Sequence, residues 1–400
     1  MDQNSNPVSF LDEVDVDSLV RNDMPPVASA RMHRLPPYLF GRINALKSDL
    51  RRRDVDIIDL GMGNPNDPTP QNIVDKLSEA ASEKRNQRYS VSAGVYNLRR
   101  ELARFYERQW GVDLSPEDEI IATVGSKEGF SHLCLATLGP GDVAMTPTPS
   151  FPIHVYGPVI AGANVIGVSM KDGDEALLRN IAEMCEKLTP RPKILNLNYP
   201  HNPTTHTVEL DFFKEVVRLA KKYGFYVIHD FAYADLTFDG YQAPSFLQAQ
   251  GARDVGVEFF SLSKSYSMPG WRVGFCVGNE EIISALKRIK SYLDYGIFQP
   301  IQIASIIALN EEQRCVAEIR DTYRERRDAL IAGLGRIGWE IPAPRGTMFV
   351  WARIPEQFRH MGSVEFSKFL IREAKVAVSP GLGFGSYGDD FVRFALIENT

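Results

Sequence analysis

The sequence has no CxxC pair. Its four cysteines, Cys134, Cys185, Cys276 and Cys315, stand far apart. That spacing indicates neither a zinc site nor a redox motif, and so low a density does not make a disulfide framework. Reduced, partly buried thiols in a cytoplasmic protein are the simpler reading. Nowhere does an apolar run approach the ~18 residues needed to span a bilayer. Met1 to Val20 carries Asp2, Asp12, Glu13, Asp15 and Asp17 but no lysine or arginine. A secretory signal needs a basic start and an apolar centre, so an acidic, mobile arm is expected instead. Positive charge is not in excess: the net charge is −6, which argues against a protein held to nucleic acid by phosphate contacts. Internal repeats and low-complexity linkers are also missing.

What is present is an ordinary globular composition. The 44% apolar content is too high for disorder, and 400 residues suffice for a sizeable core and two or three domains. From about residue 55, strand and helix signals alternate. Asp56 to Gly61 reads as a short strand running into a Gly-Pro loop, Gly61 to Pro70. Further strands are expected at Ile120–Val124, Asp142–Thr146, Lys193–Leu197, Phe225–His229, Glu258–Leu262 and Val273–Val277. Helical spacing marks Asn72–Glu83, Val95–Trp110, Ser126–Leu138 and Leu210–Lys222. Glu281 to about Leu334 is dominantly helical. Met348–Arg353 and Phe391–Leu396 are strand candidates. Such alternation predicts an α/β fold with a mainly parallel sheet flanked by helices. A smaller α+β domain made from both chain ends completes the expected layout.

Ligands of such sheets lie beyond the carboxyl ends of the strands. Polar residues collect there. Asn198 to Thr204 follows one predicted strand, Asp230 to Tyr233 the next, and Ser261 to Lys264 the one after. Gly270-Trp271-Arg272 comes soon after Lys264, and Gly125-Ser126-Lys127 opens a helix. Each has a bland alternative taken singly. Asp230 could cap a helix, Lys264 could be solvated, Asn202-Pro203 could be a turn, Arg272 a weak surface ion pair and Gly125-Ser126 a simple cap. Their joint occurrence at strand ends is what points to a site. Two other motifs fail on context. Ser261-x-x-Lys264 fits the S-x-x-K of penicillin-binding proteins, but a KTG-like strand and an export signal are missing. Gly61-x-Gly63 begins like a dinucleotide fingerprint, but Asn66 replaces the third glycine and Pro65, Pro68 and Pro70 obstruct a helix.

Taken together these residues resemble the fold-type I pyridoxal-phosphate aminotransferases, class I/II, from about Leu35 to Asn399. The carriers are Gly61-x-Gly63-x-Pro65, Tyr89 with Gly94 and Leu98-Arg99, Asn198-x-Pro200-x-Asn202-Pro203-Thr204, Asp230-x-x-Tyr233, Ser261-x-Ser263-Lys264, Gly270-Trp271-Arg272-x-Gly274 and Arg393. Within the family, the segments Arg34–Tyr38, Ser263–Tyr266, Arg288–Gly296 and Val392–Asn399 are most similar to bacterial glutamate–pyruvate (alanine) transaminases.

The resemblance implies roles. Lys264 would bind pyridoxal 5'-phosphate covalently and then act as general base and acid. Asp230 would keep the ring nitrogen protonated, making the ring an electron sink. Asn202 and Tyr233 would hydrogen-bond the ring's phenolic oxygen. Phe151 would stack on the ring, with plain core packing as the alternative. The backbone amides of Ser126 and Lys127, with Ser261, Ser263 and Arg272, would take the phosphate. Arg393 would fork onto the substrate α-carboxylate, near Asn202, Gly63 and Tyr38. Tyr89 resembles the tyrosine that reaches the neighbouring subunit's phosphate, implying a homodimer with shared sites, cytoplasmic, with no metal.

The implied domain plan is an arm at 1–30, small-domain segments at 31–60 and 298–400, and a large cofactor domain at 61–297. The sequence ends before the family's last helix, so the small domain is expected to lack it. Two further departures stand out. Thr205 occupies the usual glycine of Asn-Pro-Thr-Gly, and Phe151 lacks the hydroxyl of the usual tyrosine. The expected reaction is ping-pong transamination, with L-alanine and 2-oxoglutarate the best pair. Alternatives are a transaminase for methionine, aromatic amino acids or diaminopimelate, or a carbon–sulfur lyase. A transcription regulator of this fold would need a DNA-binding domain, and the acidic N-terminal segment has no helix-turn-helix pattern. A degenerate binding module is disfavoured because Lys264, Asp230 and Arg272 are all retained.

Overall fold

The computed structural model describes residues 27–36, 39–310 and 313–399. The expected acidic arm falls almost wholly outside these residues, and so does Tyr38. Strands are β1 (Ile58–Asp59), β2 (Ile120–Thr123), β3 (Val143–Thr148), β4 (Asn164–Ser169), β5 (Ile194–Asn198), β6 (Tyr226–Asp230), β7 (Gly256–Ser261), β8 (Gly274–Gly278), β9 (Phe349–Arg353), β10 (Val376–Ala377), β11 (Ser379–Pro380) and β12 (Phe391–Ala395). The helices that bear on the site are α1 (Tyr96–Trp110), α2 (Ser126–Thr137), α3 (Pro152–Ile160), α4 (Leu262–Ser265), α5 (Glu280–Leu293) and α6 (Arg314–Gly335).

Seven strands form the main sheet in the order β2-β8-β7-β6-β5-β3-β4. Its central strands are mostly apolar and buried on both faces. Alternate residues feed two cores. Leu195, Val227, Phe260 and Phe275 enter one; Ile194, Ile228, Phe259 and Cys276 enter the other. Helices cover both faces, so the expected α/β architecture is found.

One strand departs from the parallel expectation. β8 is antiparallel to both β2 and β7. An apolar run carries no direction, so Val273–Val277 could not announce the reversal. The reversal matters: it brings the start of β8, just after Arg272, to the same sheet edge as the ends of β2, β5, β6 and β7. Strand β4 and helix α3 were not anticipated. β4 is an edge strand, half exposed and interrupted by Gly167. The long helical signal after Glu281 is broken at Asp294-Tyr295-Gly296, where Gly296 adopts φ 83°.

The smaller sheet has the order β11-β12-β9, all antiparallel, with Arg393 on the central strand. The expected strand at Asp56–Gly61 shrinks to β1, which pairs with β10 and not with the main sheet. Leu60 donates to Ala377 O, and Ala395 donates to Leu60 O at 2.7 Å. Segments from both ends of the chain are thereby joined, around a core that includes Phe349, Val350, Phe366, Val392 and Phe394. Among the described residues no helix is long and apolar enough to cross a membrane.

Candidate active site

A cavity of about 410 Å³ opens at the carboxyl edge of the main sheet, within the range of small-molecule sites. Gly63, Ser126, Lys127, Phe151, Asn202, Asp230, Tyr233, Ser261, Ser263, Lys264, Arg272 and Arg393 all line it. The expected site residues therefore converge, with two exceptions. Tyr38 lies outside the described residues. Tyr89 is elsewhere on the surface, 86% exposed and packed on Tyr295 at 4.8 Å between ring centroids.

One end of the cavity is built for an anion. Helix α2 begins there behind Gly125, whose φ of 78° suits a glycine and whose missing side chain leaves the first-turn amides uncapped. The macrodipole and those amides favour negative charge. Arg272, itself at φ 56°, lies so close that a β-carbon on Gly125 would collide with its guanidinium. Gly274 allows the same close approach from β8: a β-carbon there would lie 2.5 Å from Ser126 N. Ser261 Oγ accepts from Ser263 N at 3.2 Å, which leaves its O–H to donate.

The middle of the cavity holds an acid and an amine. Asp230 ends β6. His154 Nε2 lies 2.9 Å from its Oδ2, and Ala232 N donates to Oδ1 at 3.3 Å. His154, on α3, is buried and also lies near Ser150 Oγ. It was not anticipated, because a lone histidine in an apolar helix reads as core. Lys264 sits in the single turn α4 and donates to Gly63 O at 2.9 Å. Burial, then the positive charges of Arg393 and Arg272, bring its pKa down from 10.5 to about 7, with Asp230 opposing. A neutral lysine amine, nucleophilic and basic, is therefore available near neutral pH.

At the other end Arg393 is clamped. Its Nη1 donates to Asn202 Oδ1 at 2.6 Å and its Nη2 lies 3.4 Å from Ser379 Oγ. The guanidinium stacks between Phe349, at 4.0 Å, and Phe384, at 4.6 Å. Asn202 Nδ2 also donates to Tyr233 O–H at 3.4 Å, and burial pushes the Tyr233 pKa up. Asn198 ties the motif together: Nδ2 donates to Asp230 O at 2.7 Å, and Oδ1 accepts from Asn202 N at 2.9 Å. Phe349, Phe384 and Ser379 were missed, since they lie on the smaller sheet and its loops, where aromatics look like core. The loop carrying Gly63 is pinned by Asp67, which Arg326 on α6 grips at 2.6 and 2.7 Å.

The donor set fits pyridoxal phosphate. A dianionic group would meet the α2 N-terminus and Arg272, a protonated ring nitrogen the Asp230 carboxylate, and an aldehyde the Lys264 amine. The turn after Asn202 keeps the left-handed geometry that a glycine would favour: Thr205 has φ 62° and donates to His201 O at 2.8 Å. The departure from the family motif places a β-branched residue in a left-handed conformation.

Comparison with known proteins agrees with this geometry. The sequence profile of the family "Aminotransferase class I and II" matches residues 55–399. The glutamate-pyruvate aminotransferase AlaC of Escherichia coli K12 is 53% identical over 92% of this chain and 89% of that protein. An LL-diaminopimelate aminotransferase of Moorella thermoacetica is 42% identical over 92% of this chain and 93% of its own length. Among solved structures, substrate-bound BacF from Bacillus superimposes with a TM-score of 0.86 at 33% identity, covering 94% of this chain and 95% of that one.

Proposed function

The chain belongs to the class I and II aminotransferases and is pyridoxal-phosphate-dependent; from that premise we propose that it exchanges the amino group between L-alanine and 2-oxoglutarate, in a cytoplasmic homodimer. The observation that carries the chemistry is the Lys264 amine, held near neutral pKa in one cavity with Asp230 and two arginines. The bound cofactor supplies the sink for the electron pair left when the substrate α-proton departs.

The rest of the proposal concerns the protein's own groups. Ser126 and Lys127 amides, Ser261, Ser263 and Arg272 hold the phosphate. Asp230, braced by His154, accepts the ring N–H. Tyr233 and Asn202 hydrogen-bond the phenolic oxygen, and Phe151 covers the ring. Arg393 receives the α-carboxylate of each substrate in turn, orienting the α-hydrogen. Lys264 Nζ takes that proton and returns it, at a pKa that suits both tasks. Both half-reactions use the same groups, so a ping-pong sequence follows.

Support for alanine comes from the 53% identical relative. Lys127 lines the cavity from an exposed position, its ammonium 6.0 Å from the centre of the Phe151 ring. It is the cation we assign to the distal carboxylate of 2-oxoglutarate. A patch including Tyr89, Val91, Tyr292, Leu293, Tyr295 and Phe298 is exposed, with Tyr292 at 88%. We assign it to contact with a second copy, which would bring Tyr89 toward the partner's phosphate.

A donor–acceptor panel tests the reading. L-alanine alone should convert the bound cofactor to its amine form and release pyruvate, and 2-oxoglutarate should restore it. Conversion by diaminopimelate, methionine or an aromatic amino acid but not by alanine rejects the alanine assignment. Continuous release of pyruvate, ammonia and a thiol from an S-substituted cysteine, without acceptor, identifies a carbon–sulfur lyase.

A further inference from the structure

Asp235 is an acid that the reaction as described does not use. It lies two residues beyond Tyr233, on the turn that follows β6. Ala234 N donates to Phe231 O at 3.1 Å, and Leu236 N donates to Tyr233 O at 3.2 Å, closing that turn. Asp235 Oδ2 accepts a 2.6 Å hydrogen bond from Ser265 Oγ. Ser265 is buried and directly follows Lys264 at the end of α4. Burial raises the Asp235 pKa, while the Ser265 bond and the positive charge of Arg320 on α6 oppose it.

The lysine's segment has few other ties. Helix α4 is one turn long, so it makes little hydrogen bonding of its own. Tyr266 O–H donates to Gln313 Oε1 at 2.5 Å, and Thr69 Oγ1 donates to Ser267 O at 2.7 Å. Those two bonds hold the chain beyond the lysine to other parts of the molecule. Asp235–Ser265 instead joins the Lys264 turn to the Tyr233 turn. The two residues that must stand at fixed places around one cofactor are thereby linked by a short bond set back from the cavity lining. Asp235 is not among the groups whose charge shifts Lys264. Its route to the amine is therefore mechanical, through the backbone of Ser265.

We propose that Asp235 is a positioning residue for Lys264, acting through Ser265, and that this bond fixes the Lys264 amine relative to the Tyr233 hydroxyl. The inference rests on Lys264 as the base of the proposed reaction. The test compares holoenzyme carrying Ser265→Ala, Ser265→Thr, Asp235→Ala, Asp235→Asn and the Asp235→Ala/Ser265→Ala pair. Readouts are kcat, KM, thermal midpoint and the pH midpoint of the bound cofactor's visible absorbance.

Ser265→Ala and Asp235→Ala should each lower kcat roughly tenfold or more with KM little changed, as a small misplacement of a reacting group does. The absorbance midpoint, which reports the Lys264 nitrogen joined to the cofactor, should move upward as that nitrogen gains water. Ser265→Thr and Asp235→Asn keep a donor and an acceptor and should recover most of the loss. The pair should be no worse than the worse single variant. A folded Ser265→Ala with wild-type kcat and midpoint overturns the proposal, and so does a loss confined to the thermal midpoint. Lys264→Ala run in parallel separates the two readings. If it still holds the cofactor covalently, the Lys264 assignment has failed. If it does not while Ser265→Ala is normal, only the Asp235 inference has.

Discussion

Replacing Arg393 probes both binding and catalysis in one substitution. Its guanidinium is buried, bonded to Asn202 at 2.6 Å and stacked between two phenylalanines. In Arg393→Gln the substrate α-carboxylate would enter a pocket with no fork to meet it. Losing one partner of a buried charge pair costs about 2–5 kcal/mol, so kcat/KM should fall roughly 30- to several thousand-fold. Because every substrate has an α-carboxylate, the loss should be similar for alanine and 2-oxoglutarate. Arg393 also helps to lower the Lys264 pKa, so the acid limb of the pH profile should move to higher pH. Arg393→Lys keeps charge but not the planar fork or the stacking, and should recover only part of the activity. Steady-state kinetics of each half-reaction, with pH profiles, read all of this. Wild-type kcat/KM for both substrates in Arg393→Lys would refute the assignment. So would a loss seen with only one of them.

Other predictions are more local. Gly274→Ala places a methyl 2.5 Å from Ser126 N and 2.8 Å from Gly125 C, so cofactor affinity should drop sharply by equilibrium dialysis. Lys290 is buried between Glu128 and Asp294, 2.8 Å from each; Lys290→Met should destabilise the fold by about 3–5 kcal/mol in urea titrations. Thr205→Gly relieves a β-branched residue at φ 62° and should stabilise by about 1 kcal/mol, read as a higher thermal midpoint. The folded apoprotein holds Lys264 at a pKa of about 7 against 10.5. Below that pH the amine is protonated, so covalent cofactor capture should slow about tenfold per pH unit. Unfolded lysine keeps its proton up to the ordinary value, so the Lys264 contribution to stability should rise between about 7 and 10.5.

Much of the site could be read before the fold was seen. Asn198, Asp230, Ser261 and Lys264 each end or closely follow an apolar run, and a buried strand followed by a polar cluster is a pattern that burial itself creates. Arg272 and Ser126 were legible by the same logic, although the antiparallel β8 that brings Arg272 to this edge was not. Apart from Arg393, side chains from the smaller sheet were hidden. Phe349 and Phe384 meet Arg393 through the pairing of β9 with β12 and the turn after β11, and nothing local distinguishes a cation-clamping phenylalanine from a core one. His154 and Asp235 reach Asp230 and Ser265 from outside the motifs, each through a hydrogen bond that has no sequence signature. The net charge misled in one respect. The chain is acidic overall, yet Lys127, Lys264, Arg272 and Arg393 face a single lining carboxylate, Asp230. Such a surplus suits a phosphate and a carboxylate.

The central claim is that Lys264 is the residue that holds the cofactor and moves the proton. Borohydride reduction of the holoenzyme, followed by peptide mass spectrometry, addresses it most directly. The account predicts a pyridoxyl-phosphate adduct on the peptide containing Lys264, abolished in Lys264→Ala along with transamination. An adduct on another lysine, or full turnover by Lys264→Ala, would contradict it.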